Sequence, residues 1–334
     1  MIIINRKILY LTFGIILMLL FAIFFIKRNR SKLHIYAGGM IHHQEQANCN
    51  QSQSVMKFDM IQQTNDDNEK YQRPSKQLPL SNPFTFQSFE QSNNAYVFEQ
   101  PEEVIYAYYG ILKEASNMLG YSGGCGTIGD ADLPYPYAYA LLTAEARKNM
   151  SLKQFQHSFK GIGHITFLQC YPLPNPQNVS GNFKYFLIEI EVITGEKIKN
   201  EAEREPISYF AYYYGIVSIE SNHNKWKIRK IDYFPEEFLC APYHGWFYHS
   251  SDVVQIVYQD NLKLIERITD IDEVNELVYI YAEGKGNQYR FDFVRLTNGH
   301  ELLINESIMK DGNWVQADLL PEDWKGYKIR AISP

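Results

Sequence analysis

The sequence predicts an α+β protein carried on a membrane-spanning helix. Three features lead there: an uncharged run near the amino terminus, helical periodicity over residues 101–160, and a change to a period of two after Gly163. The 334 residues suffice for about two ordinary domains with a sizeable core. With 45% hydrophobic and 21% charged residues the composition is globular. A net charge of −6 argues against a nucleic-acid partner, which calls for a basic surplus. The 25 Tyr, 20 Phe and 4 Trp suit half-buried sheets. Four cysteines are too few for a disulfide-stapled scaffold.

The anchor comes first. No charge interrupts Ile8 to Ile26, and roughly nineteen residues rising ~1.5 Å each match the ~30 Å hydrocarbon layer of a bilayer. A cleaved signal peptide has a shorter apolar core followed by small residues. Here Lys27-Arg28-Asn29-Arg30-Ser31-Lys32 follows, and no cysteine occupies a lipidation position. Residues 1–32 therefore read as a retained single-pass anchor with the lipid bilayer as partner. Arg6 and Lys7 before the helix, against four basic residues after it, slightly favour a cytoplasmic C-terminus. Long domains translocate despite such charges, and the next stretch tips the reading outward.

Residues 33–94 are expected to be a flexible polar tether. Segments such as 44–54 and 62–68 are aperiodic and rich in Gln, Asn and Ser, with too little apolar surface to offset their ordering entropy. A coil of that length spans ~40–45 Å, which suits a domain held away from a membrane.

The first folded body is placed at 95–242. Pro101-Glu102-Glu103 marks a helix start, and Val104, Tyr108, Ile111, Leu112, Ala115 and Leu119 share one helical face up to Gly120. A second helix runs from Tyr137 to Lys148 with Leu141-Leu142-Thr143 in its middle or at a break. Ser151 caps a third, short helix that sets Phe155 and Phe159 one turn apart. Strands follow at His164–Tyr171, Phe183–Thr194, Ile207–Glu220 and Trp226–Phe234. In the third of these elements from the end, Phe186, Ile188, Ile190 and Val192 alternate with Leu187, Glu189 and Glu191, which leaves the two acids on the outer face. In the last strand Trp226 and Ile228 share one parity, and Ile231 and Tyr233 the other. A bulge near Arg229 brings all four onto one face and bends the strand.

The segments PEEVIYAYYGIL, AYALLTAEARKNMSLKQFQHSF, KYFLIEIEVI and SIESNHNKWKIRKI resemble the nuclear-transport-factor-two-like superfamily, a cone fold shared with cystatin-like domains. The Leu-Leu-Thr-x-Glu-x-Arg run and the final Trp-Lys-Ile are similar to envelope-anchored members from Gram-positive bacteria. The resemblance covers about residues 101–240 and implies a curved antiparallel sheet wrapped around helices.

Residues 243–334 form a smaller, mostly β domain. Ser250-Ser251-Asp252 opens a helix carrying Val253, Val254, Ile256, Val257 and Leu262. A meander of five strands follows, with Asn298-Gly299 and Asp311-Gly312 as hairpin turns.

Chemistry is sparsely signalled. The glycine-rich loop 120–130 lacks the Gly-Lys-Ser/Thr ending of a phosphate loop, and a helix rather than a strand precedes it. His42, His43, Glu45 and Cys49 have no second cluster to complete a metal site, so neither metal nor cofactor is expected. Outside the cell two cysteines can pair, as Cys125–Cys240 or Cys170–Cys240; buried thiols are the other reading. The resemblance implies a cavity in which superfamily enzymes use carboxylates, histidines and tyrosines. Its candidates here are Asp130, Asp132 and His164 at the mouth, and Tyr137, Tyr139 and Tyr212 as lining phenols; aromatic packing is the alternative role for the tyrosines. The expected function is a membrane-anchored, non-catalytic binding or scaffolding protein of the cell envelope, partnered by another envelope protein or a small apolar ligand, with the open sheet face as contact surface. The alternative is a pocket isomerase, dehydratase or hydrolase, which requires an enclosed cavity with an inward carboxylate or histidine.

Overall fold

The computed structural model describes residues 35–42, 84–91, 98–123, 130–175, 181–198, 208–222, 225–236 and 249–321. The expected anchor at 8–26, and Cys125 and Cys240 with both disulfide alternatives, lie outside them. Among the described residues no helix is long and apolar enough to cross a membrane. What they form is a mixed α+β structure with a curved sheet and few helices.

The helical layer is built as short pieces. They are Phe86–Gln91 (α1), Pro101–Lys113 (α2), Tyr135–Ala140 (α3), Ala144–Asn149 (α4) and Leu152–His157 (α5). In α2 the Glu103 carboxylate accepts from the backbone amides of Glu99 and Gln100, closing the exposed first turn. The helix ends at Lys113, short of the predicted Gly120. Beyond it the Asn117 amide donates to the Ile162 carbonyl at 2.8 Å, and Gly161 donates back at 2.7 Å. This exchange peels the chain off the helix, so Leu119 is 92% exposed instead of facing the core. A similar exchange explains the break between α3 and α4. Thr143 donates to the Ile228 carbonyl, Ile228 donates to the Leu141 carbonyl, and the Thr143 hydroxyl then caps α4 through the Ala146 amide. Ser151 and Gln154 form a capping box on α5, and Phe155 within it and Phe159 just beyond it are completely buried.

The sheet comprises Ile35–Tyr36 (β1), Gly39–Ile41 (β2), Tyr121–Ser122 (β3), Ile162–Leu173 (β4), Phe183–Lys197 (β5), Ser208–Asn222 (β6) and Lys225–Pro235 (β7). Its order is β1-β2-β7-β6-β5-β3, with β4 also paired to β5. Register shifts fall at Gly163, Leu168 and Arg229. Each extra residue bends its strand and adds to the curvature. At Arg229 the pairing passes from Ser218↔Lys230 to Ile219↔Ile228. Ile228, Ile231 and Tyr233 are buried in one core, and Trp226 packs against it. Phe186, Ile188, Ile190 and Val192 line the same inner face against the helices.

Two pieces of the expected tether belong to this body. In the β1–β2 hairpin Ala37 and Gly38 both take positive φ, 49° and 78°, the geometry of a tight two-residue turn. β2 then runs parallel to β7 through Met40↔Asp232 and Ile41↔Tyr233. In α1, Phe86 and Phe89 are buried in the main core. A few aromatics in a polar stretch are enough to dock these segments, although its overall composition is that of a solvated chain.

The second sheet is a meander of Arg267–Val274 (β8), Leu277–Gly284 (β9), Asn287–Arg295 (β10), Glu301–Lys310 (β11) and Asn313–Gln316 (β12). Before it, Ser250–Val253 (α6) continues as a wider π-helical turn to Asn261, and Val254, Val257 and Tyr258 pack on one sheet face. Asp311 and Gly312 both have positive φ, as their turn requires. The opposite face of this meander lies on the outer face of the first sheet. Val294, Leu296, Leu302 and Ile304 meet Leu173, Tyr185, Leu187, Tyr214 and Ile216 in a third apolar cluster. The sheet face expected to be open is covered over this area.

Candidate functional site

Inside the curved sheet, among the described residues, large aromatic side chains pack together. Tyr108, Tyr109, Phe155, Phe159 and Tyr233 are fully buried together. Tyr109 stacks on Phe167 at 4.8 Å, and Tyr135 leans on Phe159 at 4.7 Å. The Tyr109 and Tyr233 hydroxyls share a hydrogen bond of 2.6 Å. The hairpin tip seals the opening: Ala37 is wholly buried, and its amide donates to the Ser158 carbonyl while that of Gly38 donates to the Ser158 hydroxyl at 2.9 Å. The Tyr108 hydroxyl is buried without a hydrogen-bond partner among the described residues and lies against Gly38.

The six residues singled out from the sequence fall into two groups. Asp130 and Asp132 are exposed on the turn before α3, where the Asp130 amide donates to the Glu114 carbonyl. Tyr137 packs on Phe86 with its hydroxyl beside Glu90. Tyr139 packs on Phe155 and donates to the Met150 carbonyl at 2.9 Å. Glu114, which the sequence did not single out, is half-buried between this turn and α1. Its carboxylate accepts from the Phe86 amide, and burial, assisted by Asp130, raises its pKa.

The second group sits on the outer face. Register places Thr166 opposite Glu191 and Glu191 opposite Tyr212. The Tyr212 hydroxyl donates to Glu191 at 2.7 Å and the Thr166 hydroxyl at 3.4 Å. His164 lies two residues before Thr166 on the same face. Burial, then Lys113, hold its pKa below the usual value, with Glu191 opposing. The imidazole is therefore neutral at neutral pH, beside a carboxylate with two hydroxyl donors. Such a group can bind a polar partner or pass a proton. Phe210, 45% exposed, extends the same face toward solvent. Alternation along β5 marks Glu191 as outward from sequence; its neighbours come from cross-strand register, which no local pattern specifies.

Farther along this face Glu189 is fully buried under the second sheet. It accepts from the Thr297 amide at 3.1 Å, from the Thr297 hydroxyl and from the Gln169 side-chain amide at 2.5 Å. Beside it Arg295 bridges Glu301 and Glu273 at 2.6 and 3.1 Å. Among the described residues no group of three His, Cys, Asp or Glu is placed to hold a metal ion.

No family model and no curated protein matches the sequence. Among solved structures, a protein described as "Ntf2 like protein involved in plasmid conjugation" is similar to this chain at 9% identity and a TM-score of 0.21, over 61% of this chain and 96% of that one.

Proposed function

We propose that the protein is a single-pass, membrane-anchored, non-catalytic binding or scaffolding component of the cell envelope, of Gram-positive type, with its folded body outside the cytoplasm. The finer fold in this proposal is a nuclear-transport-factor-two-like cone. The observation that supports the reading is the aromatic packing inside the sheet: Tyr108, Tyr109, Phe155, Phe159 and Tyr233 are buried together beneath Ala37 and Gly38, where a pocket enzyme would hold its substrate. Pocket chemistry would require these side chains and the hairpin to vacate that space. Recognition then falls to the outer surface, and the end of the sheet around Phe210 is suited to it. There a half-buried histidine, a hydrogen-bonded carboxylate and an exposed phenylalanine lie together, a mix of apolar anchor and polar rim typical of contact surfaces.

The test has two parts. A photo-crosslinking residue at Phe210, in the full chain expressed in cells, is expected to capture an envelope protein, while the same residue at exposed Lys310 does not. A membrane-impermeant thiol reagent is expected to label Lys285→Cys in intact cells. Labelling only after lysis places the body in the cytoplasm and overturns the proposed location. Equal capture from both positions overturns the proposed surface.

A further inference from the structure

We infer that the folded body is held within about 30 Å of the membrane through the Ile35–Ile41 hairpin, and that the polar segment after the hairpin does not set its distance from the anchor. The inference rests on the anchor reading of residues 8–26.

The hairpin is an integral strand pair. Ala37 and Gly38 bond to Ser158, and the Tyr233 hydroxyl donates to the Ala37 carbonyl at 3.4 Å. The His42 amide donates to the Tyr233 carbonyl at 2.8 Å, and His42 Nε2 lies 2.7 Å from Oδ1 of Asp232, a carboxylate only 3% exposed. Gly38 has no room for a Cβ between the Tyr108 hydroxyl and the Phe155 ring. The strand of β7 that would otherwise be an open edge is covered at this point.

Chain length does the rest. Between an anchor ending at Ile26 and a hairpin starting at Ile35 only residues 27–34 remain, and fully extended they reach about 30 Å. A tether of residues 33–94 would reach roughly 200 Å. Residues 43–83 leave the body at His42 and re-enter it at Phe84, so they add nothing to its distance from the bilayer. The short spacer also carries Lys27, Arg28, Arg30 and Lys32. Their partner is an anionic lipid headgroup layer, which attracts basic residues within a Debye length. The hairpin edge of the sheet, where Asp232 meets both His42 and Lys230, is then the membrane-facing side.

A cut separates the two arrangements. A site for a sequence-specific protease is placed between Asp66 and Asp67 in the full chain, carrying an N-terminal tag and reconstituted in phosphatidylcholine–phosphatidylglycerol vesicles. After cleavage the fragment from residue 67 onward is expected to float with the vesicles and, in detergent, to co-purify with the tag. Gly38→Val should lower its retention roughly tenfold or more, since a branched side chain at positive φ adds strain to the clash. His42→Ala, which leaves the interior intact, should lower retention in the same direction. Release of the unmodified fragment, while uncut chain still floats, overturns the inference and leaves the anchor standing. Uncut chain that does not float overturns the anchor reading, and the membrane placement with it.

Discussion

The Tyr109–Tyr233 hydroxyl pair and the Tyr108 hydroxyl, which has no hydrogen-bond partner among the described residues, lie in the same buried interior. Burial is the largest cause raising all three pKa values above the ordinary phenol value of 10.0, with neighbouring phenols adding to the shift for Tyr108 and Tyr109. The folded chain therefore holds protons that the unfolded chain releases above about pH 10. Stability contributed by these groups is complete below that pH and is lost as pH rises toward the folded values. We expect equilibrium stability to drop above about pH 10, with phenolate absorbance from these tyrosines appearing together with unfolding. Their ionisation ahead of any loss of near-ultraviolet circular dichroism would show that the interior admits water. Glu189 makes a second residue-level case. Glu189→Ala leaves the Thr297 amide and hydroxyl and the Gln169 side-chain amide without their common acceptor, at a cost of about 3–5 kcal/mol. Glu189→Gln keeps one oxygen and should lose less. Urea unfolding distinguishes them, and equal losses would mean that the acceptor role is not what matters.

Among the elements, β7 depends on a single inserted residue. Trp226 and Ile228 reach the inner face with Ile231 and Tyr233 only because Arg229 is extra in the pairing with β6. Deleting Arg229 removes the bulge and forces one pair outward, since a one-residue slip exchanges the faces of a strand. The deletion variant is expected to lose its cooperative unfolding transition; a fully native near-ultraviolet spectrum would refute this role. A milder change is available in α5. Ser151→Ala removes the side-chain acceptor of the capping box and should cost about 1 kcal/mol, measured as a lower urea midpoint at unchanged slope.

At the scale of the molecule, two sheets share one apolar seam. Leu187, Tyr185, Tyr214 and Ile216 are outward on the first sheet and are covered where Val294, Leu296, Leu302 and Ile304 lie on them. A chain ending at residue 236 exposes that surface. It is expected to bind a hydrophobic dye and self-associate, as contiguous exposed apolar patches do, while the longer chain does neither. A monomeric, dye-silent truncation would show that the seam is dispensable.

The sequence by itself determined the four long strands of the first sheet, their faces, the Arg229 bulge and the Ser151 cap. These follow from side-chain alternation and from contacts within a few residues, both of which are written along the chain. The hairpin too had a local signal, Ala37-Gly38 between Ile35-Tyr36 and Gly39-Met40-Ile41, obscured by the polar run after it. Only the tertiary structure decided the rest. The hairpin closes the interior through Ala37 and Tyr233, 196 positions apart, and Glu189 meets Thr297 across 108. The helix α2 stops at Lys113 because Asn117 bonds to Ile162. Each of these depends on which surfaces meet once the chain has collapsed, and the free energy of that meeting belongs to pairs of distant residues that no local pattern records.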